Sequence, residues 1–249
     1  MAAEEKNIKP TPASLTIVIP AHNEAGRIGP MLTSYIEHFQ KRANILLILN
    51  GCRDNTLEVI NSIIERIGDL GDISYRDIKE PIGKAAAVYE GFRLAATAYV
   101  GFVDADGSTP AFEYDRLFQS IDNADGVIAS RFMPMSHVVN RTLIRRLISL
   151  PFHRLVRHYV KLPYRDTQCG AKIFKTAIVK KILDDLTVRD NAFDVELLMV
   201  LKERGYVIKE EPTLWIEESS STMFSSPLKL FTAAWRMYRT LVSLAKRYT

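Results

Sequence analysis

Five short apolar runs separated by helix-forming segments constrain this 249-residue chain more than any single residue does. Leu15–Ile19, Ile45–Leu49, Ile73–Ile78, Tyr99–Val103 and Gly126–Ala129 read as buried strands. Between them lie helical patterns. One runs over 26–42, with Ile28, Met31, Leu32, Tyr35 and Phe39 at helical spacing, and another runs from Asp54, read as an N-cap, to about Ile67. Lys84–Ala96 is a third, and Pro110 suits the first turn of a fourth. Uninterrupted alternation of this kind predicts an α/β fold: a mostly parallel, doubly wound sheet with helices on both faces. Val207–Trp215 reads as a closing strand.

The fourth strand stops abruptly at Asp104-Ala105-Asp106-Gly107-Ser108. In open α/β sheets, ligands collect at the carboxyl ends of strands. In extended backbone Asp104 and Asp106 would leave by the same face. Two hard oxygen ligands there suit Mg²⁺ or Mn²⁺, ions that bring a diphosphate with them. Asp-Gly-Ser is also ordinary turn chemistry, so this stretch by itself leaves both readings open.

Composition removes several classes. The chain is 47% hydrophobic and 25% charged, the balance of a globular protein rather than a disordered one. A net charge of +4 permits an anionic ligand or a membrane surface, and we read no nucleic-acid partner from it. Cys52 and Cys169 lie too far apart for a zinc-type spacing or a disulfide framework, so a reducing, cytosolic setting is expected. Residues 1–12 are acidic and polar, without the apolar core of a signal peptide. No stretch approaches the roughly 18 uncharged apolar residues that span a bilayer.

After Asn140 two segments combine an apolar face with basic residues. Arg141–Leu162 carries Ile144, Leu147, Ile148, Phe152, Leu155, Val156 and Tyr159 beside five arginines. In Pro227–Arg247, Leu230, Phe231, Ala234, Tyr238, Leu241, Val242 and Ala245 face one way. Such helices either lie in a membrane interface against anionic lipids or pack on the sheet with solvated edges. The expected organisation is a disordered leader over 1–13, one domain over 14–222 that includes the 141–162 helix, and a basic amphipathic helix over 223–249.

Five motifs then occur in one order: Pro20-Ala21-His22-Asn23-Glu24, Asp104-Ala105-Asp106, Ser130-Arg131, Asp166-Thr167-Gln168-Cys169-Gly170 and Phe193-Asp194-Val195-Glu196. Together they resemble the family 2 glycosyltransferases of GT-A fold. Within these they are most similar to the polyprenyl-phosphate sugar synthases, the dolichyl-phosphate glucosyltransferase branch in particular. Trp215-Ile216-Glu217 adds to that likeness.

The resemblance implies roles. Pro20, Ala21, Asn23 and Glu24 would line the nucleotide pocket, with Asn50 near the nucleobase and Lys84, Ala105 and Gln168 on the donor. Asp104 and Asp106 would hold the metal, Arg131 would fork a phosphate, and Asp194 and Glu196 would belong to the active site. Three positions depart from the pattern. Leu49-Asn50 stands where many relatives carry two aspartates, which leaves uracil and guanine both open. Ser108 replaces the Gln of the mannosyl branch, and Thr222 stands where a Lys is common. The implied activity is inverting transfer of a hexose to a polyprenyl or dolichyl phosphate at the cytosolic membrane face. UDP-glucose is the favoured donor and GDP-mannose the alternative; a soluble hydroxyl acceptor is the rival. A phosphate acceptor is already anionic and needs no strong general base. His22, His137, His153 and His158 accordingly read as packing or surface residues.

Overall fold

The computed structural model describes residues 14–140, 160, 162–217 and 227–248. Its first half realises the alternation as β1 (Leu15–Ala21), α1 (Ile28–Phe39), β2 (Ala43–Asn50), α2 (Thr56–Ile67), β3 (Asp72–Ile78), α3 (Lys84–Leu94) and β4 (Tyr99–Val103). α4 (Ala111–Gln119), β5 (Gly126–Ser130) and β6 (His137–Val139) follow. The second half contributes β7 (Ala171–Lys175), α5 (Thr176–Ile182), α6 (Phe193–Glu203), β8 (Ile208–Pro212), β9 (Leu214–Ile216) and α7 (Pro227–Tyr248).

The main sheet has the order β3-β2-β1-β4-β7-β5-β8, and β7 runs antiparallel to both its neighbours while the remaining pairings are parallel. Side chains alternate across it: Ile17 and Ile19 enter the core under α1, α2 and α4, and Val18 enters the core under α3, α5 and α6. Both faces are therefore covered, which is why these strands are continuous apolar runs rather than alternating ones. The chain winds β1, β2, β3 outward in one direction and then returns to place β4 on the other side of β1. That reversal opens a crevice at the carboxyl ends of β1 and β4, the usual ligand position of a doubly wound sheet.

Three expectations are corrected. β7 was not anticipated, because Lys172 and Lys175 break its apolar pattern; Lys172 nevertheless points inward and is wholly buried. The expected closing strand is two strands: β8 pairs with β5 as far as Pro212, and β9 leaves to pair with β6. Proline offers no N–H to extend a ladder. Asp54 is not the N-cap, since α2 begins at Thr56. Its carboxylate instead accepts the Thr56 and Ala25 amides, each at 3.1 Å.

Helix α7 packs against the domain through Leu241 and Leu244, which are buried, while Trp235, Arg236 and Arg239 are exposed. Leu244 was not on the expected apolar face. The expected leader, residues 141–159 of the first amphipathic segment, and residues 218–226 with Thr222 lie outside the described residues. Among the described residues no helix is long and apolar enough to cross a membrane.

Candidate active site

β4 ends at Val103, so Asp104 and Asp106 stand on a turn rather than on extended backbone. The same-face alternation expected of a strand is therefore not what brings them together. The turn does: Asp106 Oδ1 accepts the Ser108 amide at 2.9 Å, folding the backbone so that both carboxylates meet at the crevice. Burial raises the Asp106 pKa, and the neighbouring Asp104 charge adds to the rise. Lys84, the first residue of α3, ion-pairs with Asp104 Oδ1. Burial works against the Lys84 charge, but Asp104 and Asp194 outweigh it and its pKa goes up. Gly83 before it has φ +85°, a conformation that suits glycine and aims the helix start at the carboxylates.

The Asp104 carboxylate rests directly on the backbone of Gly170, where a β-carbon would overlap its Oδ2 and Cγ. This explains why the Asp-Thr-Gln-Cys-Gly motif ends in glycine. Gly170→Ala is expected to displace Asp104 and lower turnover by roughly tenfold or more, about 1.4 kcal/mol of barrier, with little change in secondary structure. Steady-state kinetics beside far-UV circular dichroism checks this; native turnover would mean that Asp104 moves aside without consequence.

The nucleotide-side residues lie where β1 and β2 end. Pro20 and Ala21 close β1, and the loop after them is stitched to the loop after β2. Asn23, at φ 56°, accepts the Arg53 amide on Oδ1 at 2.8 Å, and the Glu24 amide donates to Thr56 Oγ1 at 2.8 Å. His22 donates from Nδ1 to the Asn50 carbonyl at 2.6 Å. Asn50 is buried and its Oδ1 accepts the Ile82 amide at 2.7 Å, which holds the loop after β3 against the end of β2. Burial raises the Glu24 pKa against the opposing pull of Arg27, which holds Glu24 Oε2 through Nε at 2.8 Å. The charges of Asp104 and Asp106 also bear on Glu24, which brings it into the carboxylate group. A pocket of about 360 Å³ adjoins Asp106 between α1 and α4, with Arg27, Tyr35 and Thr109 on its wall.

Arg131 differs from the expectation of a phosphate fork. Its Nε and Nη2 clamp the two oxygens of Asp166 at 2.7 and 3.1 Å, its own amide donates to the same carboxylate at 3.0 Å, and its guanidinium lies 5.1 Å from the Trp215 ring centroid. Burial opposes the charge, yet Asp166 holds the guanidinium pKa above its usual value. Arg131 thus ties β5 to the Asp166 motif beside Asp104. Gln168 follows in that motif: its amide donates to Asp166 Oδ1 at 3.1 Å, and its buried side-chain Nε2 has no hydrogen-bond partner among the described residues. Cys169 is free, and burial pushes its thiol up to about 12, which makes it inert packing.

Asp194 and Glu196 part company because helix residues two apart do not share a face. Asp194 reaches the crevice side, where Lys172 Nζ donates to its Oδ1 at 2.6 Å and to the Cys169 carbonyl at 2.6 Å. Burial raises the Asp194 pKa against Lys172 and Lys84. Glu196 is wholly buried elsewhere, accepting the Thr187 amide at 2.9 Å, the Thr187 hydroxyl at 2.8 Å and the Val188 amide at 2.7 Å. It anchors the loop before α6 and is not brought to the carboxylate group. Sequence reading missed Lys172 and the β9 edge, where the Ile216 amide donates to the Ser108 carbonyl at 2.8 Å and seals the turn.

A crevice at the β1/β4 reversal, walled by two aspartates on a turn and a lysine at a helix start, is the arrangement of a sugar-nucleotide-dependent transferase. Residues 16–183 match the model of the glycosyl transferase family 2 domain, and the chain belongs to that family. The dolichyl-phosphate beta-glucosyltransferase of Saccharomyces cerevisiae is 32% identical over 229 residues, covering 84% of this chain and 69% of the relative. Among solved structures, glucosyl-3-phosphoglycerate synthase from Mycobacterium tuberculosis in complex with UDP superposes with a TM-score of 0.69 at 13% identity, covering 94% of this chain and 81% of that one. A mannosyltransferase from Pyrobaculum calidifontis in complex with GDP-Man and Mn²⁺ gives 0.60 at 19% identity, covering 93% of this chain and 64% of that one. At these identities the structural likeness speaks for the fold, which is the GT-A type.

Proposed function

We propose that this chain transfers glucose from UDP-glucose to a dolichyl or other polyprenyl phosphate at the cytosolic membrane surface, with inversion to a β-linked product. Asp104 and Asp106 would hold a divalent ion, Mg²⁺ or Mn²⁺. The raised Asp106 pKa fits this, because two close, half-buried carboxylates favour a cation between them. Such an ion, when bound, offsets the charge of the departing nucleoside diphosphate. The protein's own contribution is positional. Lys84 fixes Asp104 and adds positive charge at the donor phosphates, Gly170 fixes Asp104 from below, and the Ser108 amide fixes Asp106. Pro20, Ala21, Asn23 and Glu24 form the nucleoside wall, and the Arg131–Asp166 clamp with Gln168 forms the opposite one.

The commitment of the carboxylates carries the acceptor class. Glu24 has Arg27, Asp166 has Arg131, Asp194 has Lys172, and Asp106 holds the Ser108 amide. Each of these four is already paired or hydrogen-bonded within the protein, which favours an acceptor that needs no base. A polyprenyl phosphate needs no such base: its anionic oxygen attacks the anomeric carbon from behind while the bond to the diphosphate oxygen breaks and UDP departs. Relatives in Saccharomyces cerevisiae and Homo sapiens are dolichyl-phosphate beta-glucosyltransferases, which favours the same acceptor.

Donor and acceptor are tested separately. UDP-glucose with Mn²⁺ or Mg²⁺ is expected to raise the melting temperature more than GDP-mannose does, and chelator is expected to abolish the rise. With a polyprenyl phosphate acceptor, the product should carry a β-anomeric proton by NMR. A larger shift with GDP-mannose would replace the donor, and transfer only to a soluble hydroxyl acceptor would replace the acceptor.

A further inference from the structure

A groove of about 570 Å³ lies between residues 188–190 and the middle of α7. Its walls carry three guanidinium groups, Arg189, Arg236 and Arg239, against one carboxylate, Asp190. Both oxygens of that carboxylate are committed: Oδ1 accepts the Ala192 amide at 2.9 Å and Oδ2 the Thr240 hydroxyl at 2.7 Å. Arg189 donates to the Leu186 carbonyl at 3.2 Å and lies 5.3 Å from the Tyr89 ring centroid, and it has no salt bridge among the described residues. Arg236 and Arg239 have no carboxylate partner among the described residues.

The groove is built on ordered parts. Glu196 holds the Thr187 and Val188 amides, Arg247 reaches Glu196 at 3.6 Å, and Leu241 and Leu244 seat α7 in the core. At its rim Trp235 is 56% exposed and stacks on Tyr238 at 5.7 Å, an indole presented to solvent at the edge of a cationic cleft. One wall of the groove abuts the glycine that precedes α3. The Arg189 carbonyl lies 3.6 Å from where a β-carbon on Gly83 would sit, and the next residue, Lys84, holds Asp104. Tyr89, under Arg189, packs edge-on against Phe193, the residue before Asp194.

Three guanidinium groups against one carboxylate leave the groove net positive, which suits a phosphate that they can meet with paired donors. A half-exposed tryptophan suits the boundary between water and lipid. We propose that this groove receives the phosphate of the lipid acceptor, with Arg189, Arg236 and Arg239 as its donors and Trp235 beside the first units of the chain. The proposal rests on the acceptor reading given above. Charge on this part of α7 thus serves a defined phosphate rather than a diffuse membrane attraction.

The test uses the full chain with Arg236→Gln and Arg239→Gln, singly and together, in neutral detergent micelles with UDP-glucose and a long-chain polyprenyl phosphate. The acceptor KM is expected to rise roughly tenfold or more in the double variant, with kcat and the UDP-glucose KM within about twofold of the parent. Lys246→Gln, which removes the same charge from an exposed position outside the groove, is expected to leave the acceptor KM unchanged. The single variants report the effect if the double variant loses its melting transition. An unchanged acceptor KM in folded variants overturns the proposal. If that unchanged KM comes with lost binding to phosphatidylserine-containing vesicles, the groove reads lipid headgroups instead. A parent enzyme that uses no polyprenyl phosphate overturns the acceptor reading itself, a result distinct from active variants with parental kinetics.

Discussion

Asp104→Asn and Asp106→Asn are each expected to lower kcat by about a thousandfold, or about 4 kcal/mol of barrier, while the protein remains folded. The two substitutions act differently on stability, and that difference separates a site role from a structural one. The folded-state pKa of Asp106 is raised by burial and by Asp104, so its ionised form weighs against folding. That penalty is absent below the unfolded carboxyl pKa, where the group is protonated in both states, and is fully present above the folded one. Asparagine removes it and can still accept the Ser108 amide, so Asp106→Asn should melt at or above the parental temperature at neutral pH. Asp104→Asn gives up its pair with a partly exposed lysine, a loss of about 1 kcal/mol or less. Both variants should lose the stabilisation that Mn²⁺ gives the parent in the presence of UDP-glucose. Parental turnover, or a parental metal-dependent shift, in either variant would remove the metal role from these carboxylates.

Lys172→Met is expected to destabilise the fold by about 3–5 kcal/mol. At a few degrees per kcal/mol for a domain of this size, the melting temperature should fall by roughly 6–20 °C. Lys172 is wholly buried, with its ammonium shared between Asp194 Oδ1 and the Cys169 carbonyl and lying 5.2 Å from the Phe102 ring centroid. Methionine fills the volume but leaves the Asp194 carboxylate buried without its partner. Asp194 already has a raised pKa, and losing Lys172 raises it further. The loss of stability is therefore largest at high pH and narrows as pH falls toward carboxyl protonation. Lys172→Met with Asp194→Asn, which removes both charges, should recover most of the melting temperature. A single variant that melts like the parent at pH 8 would show that Lys172 does not balance the Asp194 charge.

Much of this protein was legible because its signals are local. Apolar runs of strand length, helical spacing such as Ile28-Met31-Leu32-Tyr35-Phe39, and the alternation of the two are properties of neighbouring residues. They lead to a doubly wound sheet without knowledge of any long-range contact. The position of Asp104 and Asp106 follows from the same source, since the carboxyl end of a strand is defined by where the apolar run stops.

The rest depends on which residues meet across the fold. Nothing adjacent to Arg131 marks Asp166, 35 residues away, as the carboxylate that fills its fork; without that contact the guanidinium reads as free for a phosphate. Lys172 looks like a break in a strand because pattern reading treats lysine as solvated, whereas Asp194 makes its burial possible. Asp194 and Glu196 look like a pair in sequence, and the 100° turn per helix residue sends one to the crevice and the other beneath Thr187. The amphipathic pattern of α7 is equally compatible with a bilayer and with a protein surface, since both accept an apolar stripe. The packing of Leu241 and Leu244 into the core decided that part of the helix, and it left Arg236 and Arg239 facing a groove that no linear pattern could reveal. Sequence by itself determined the alternation of elements from β1 to β5 and the end of the sheet where chemistry sits. Tertiary structure decided which charges are spent on one another, because a buried charge is stable only beside its partner.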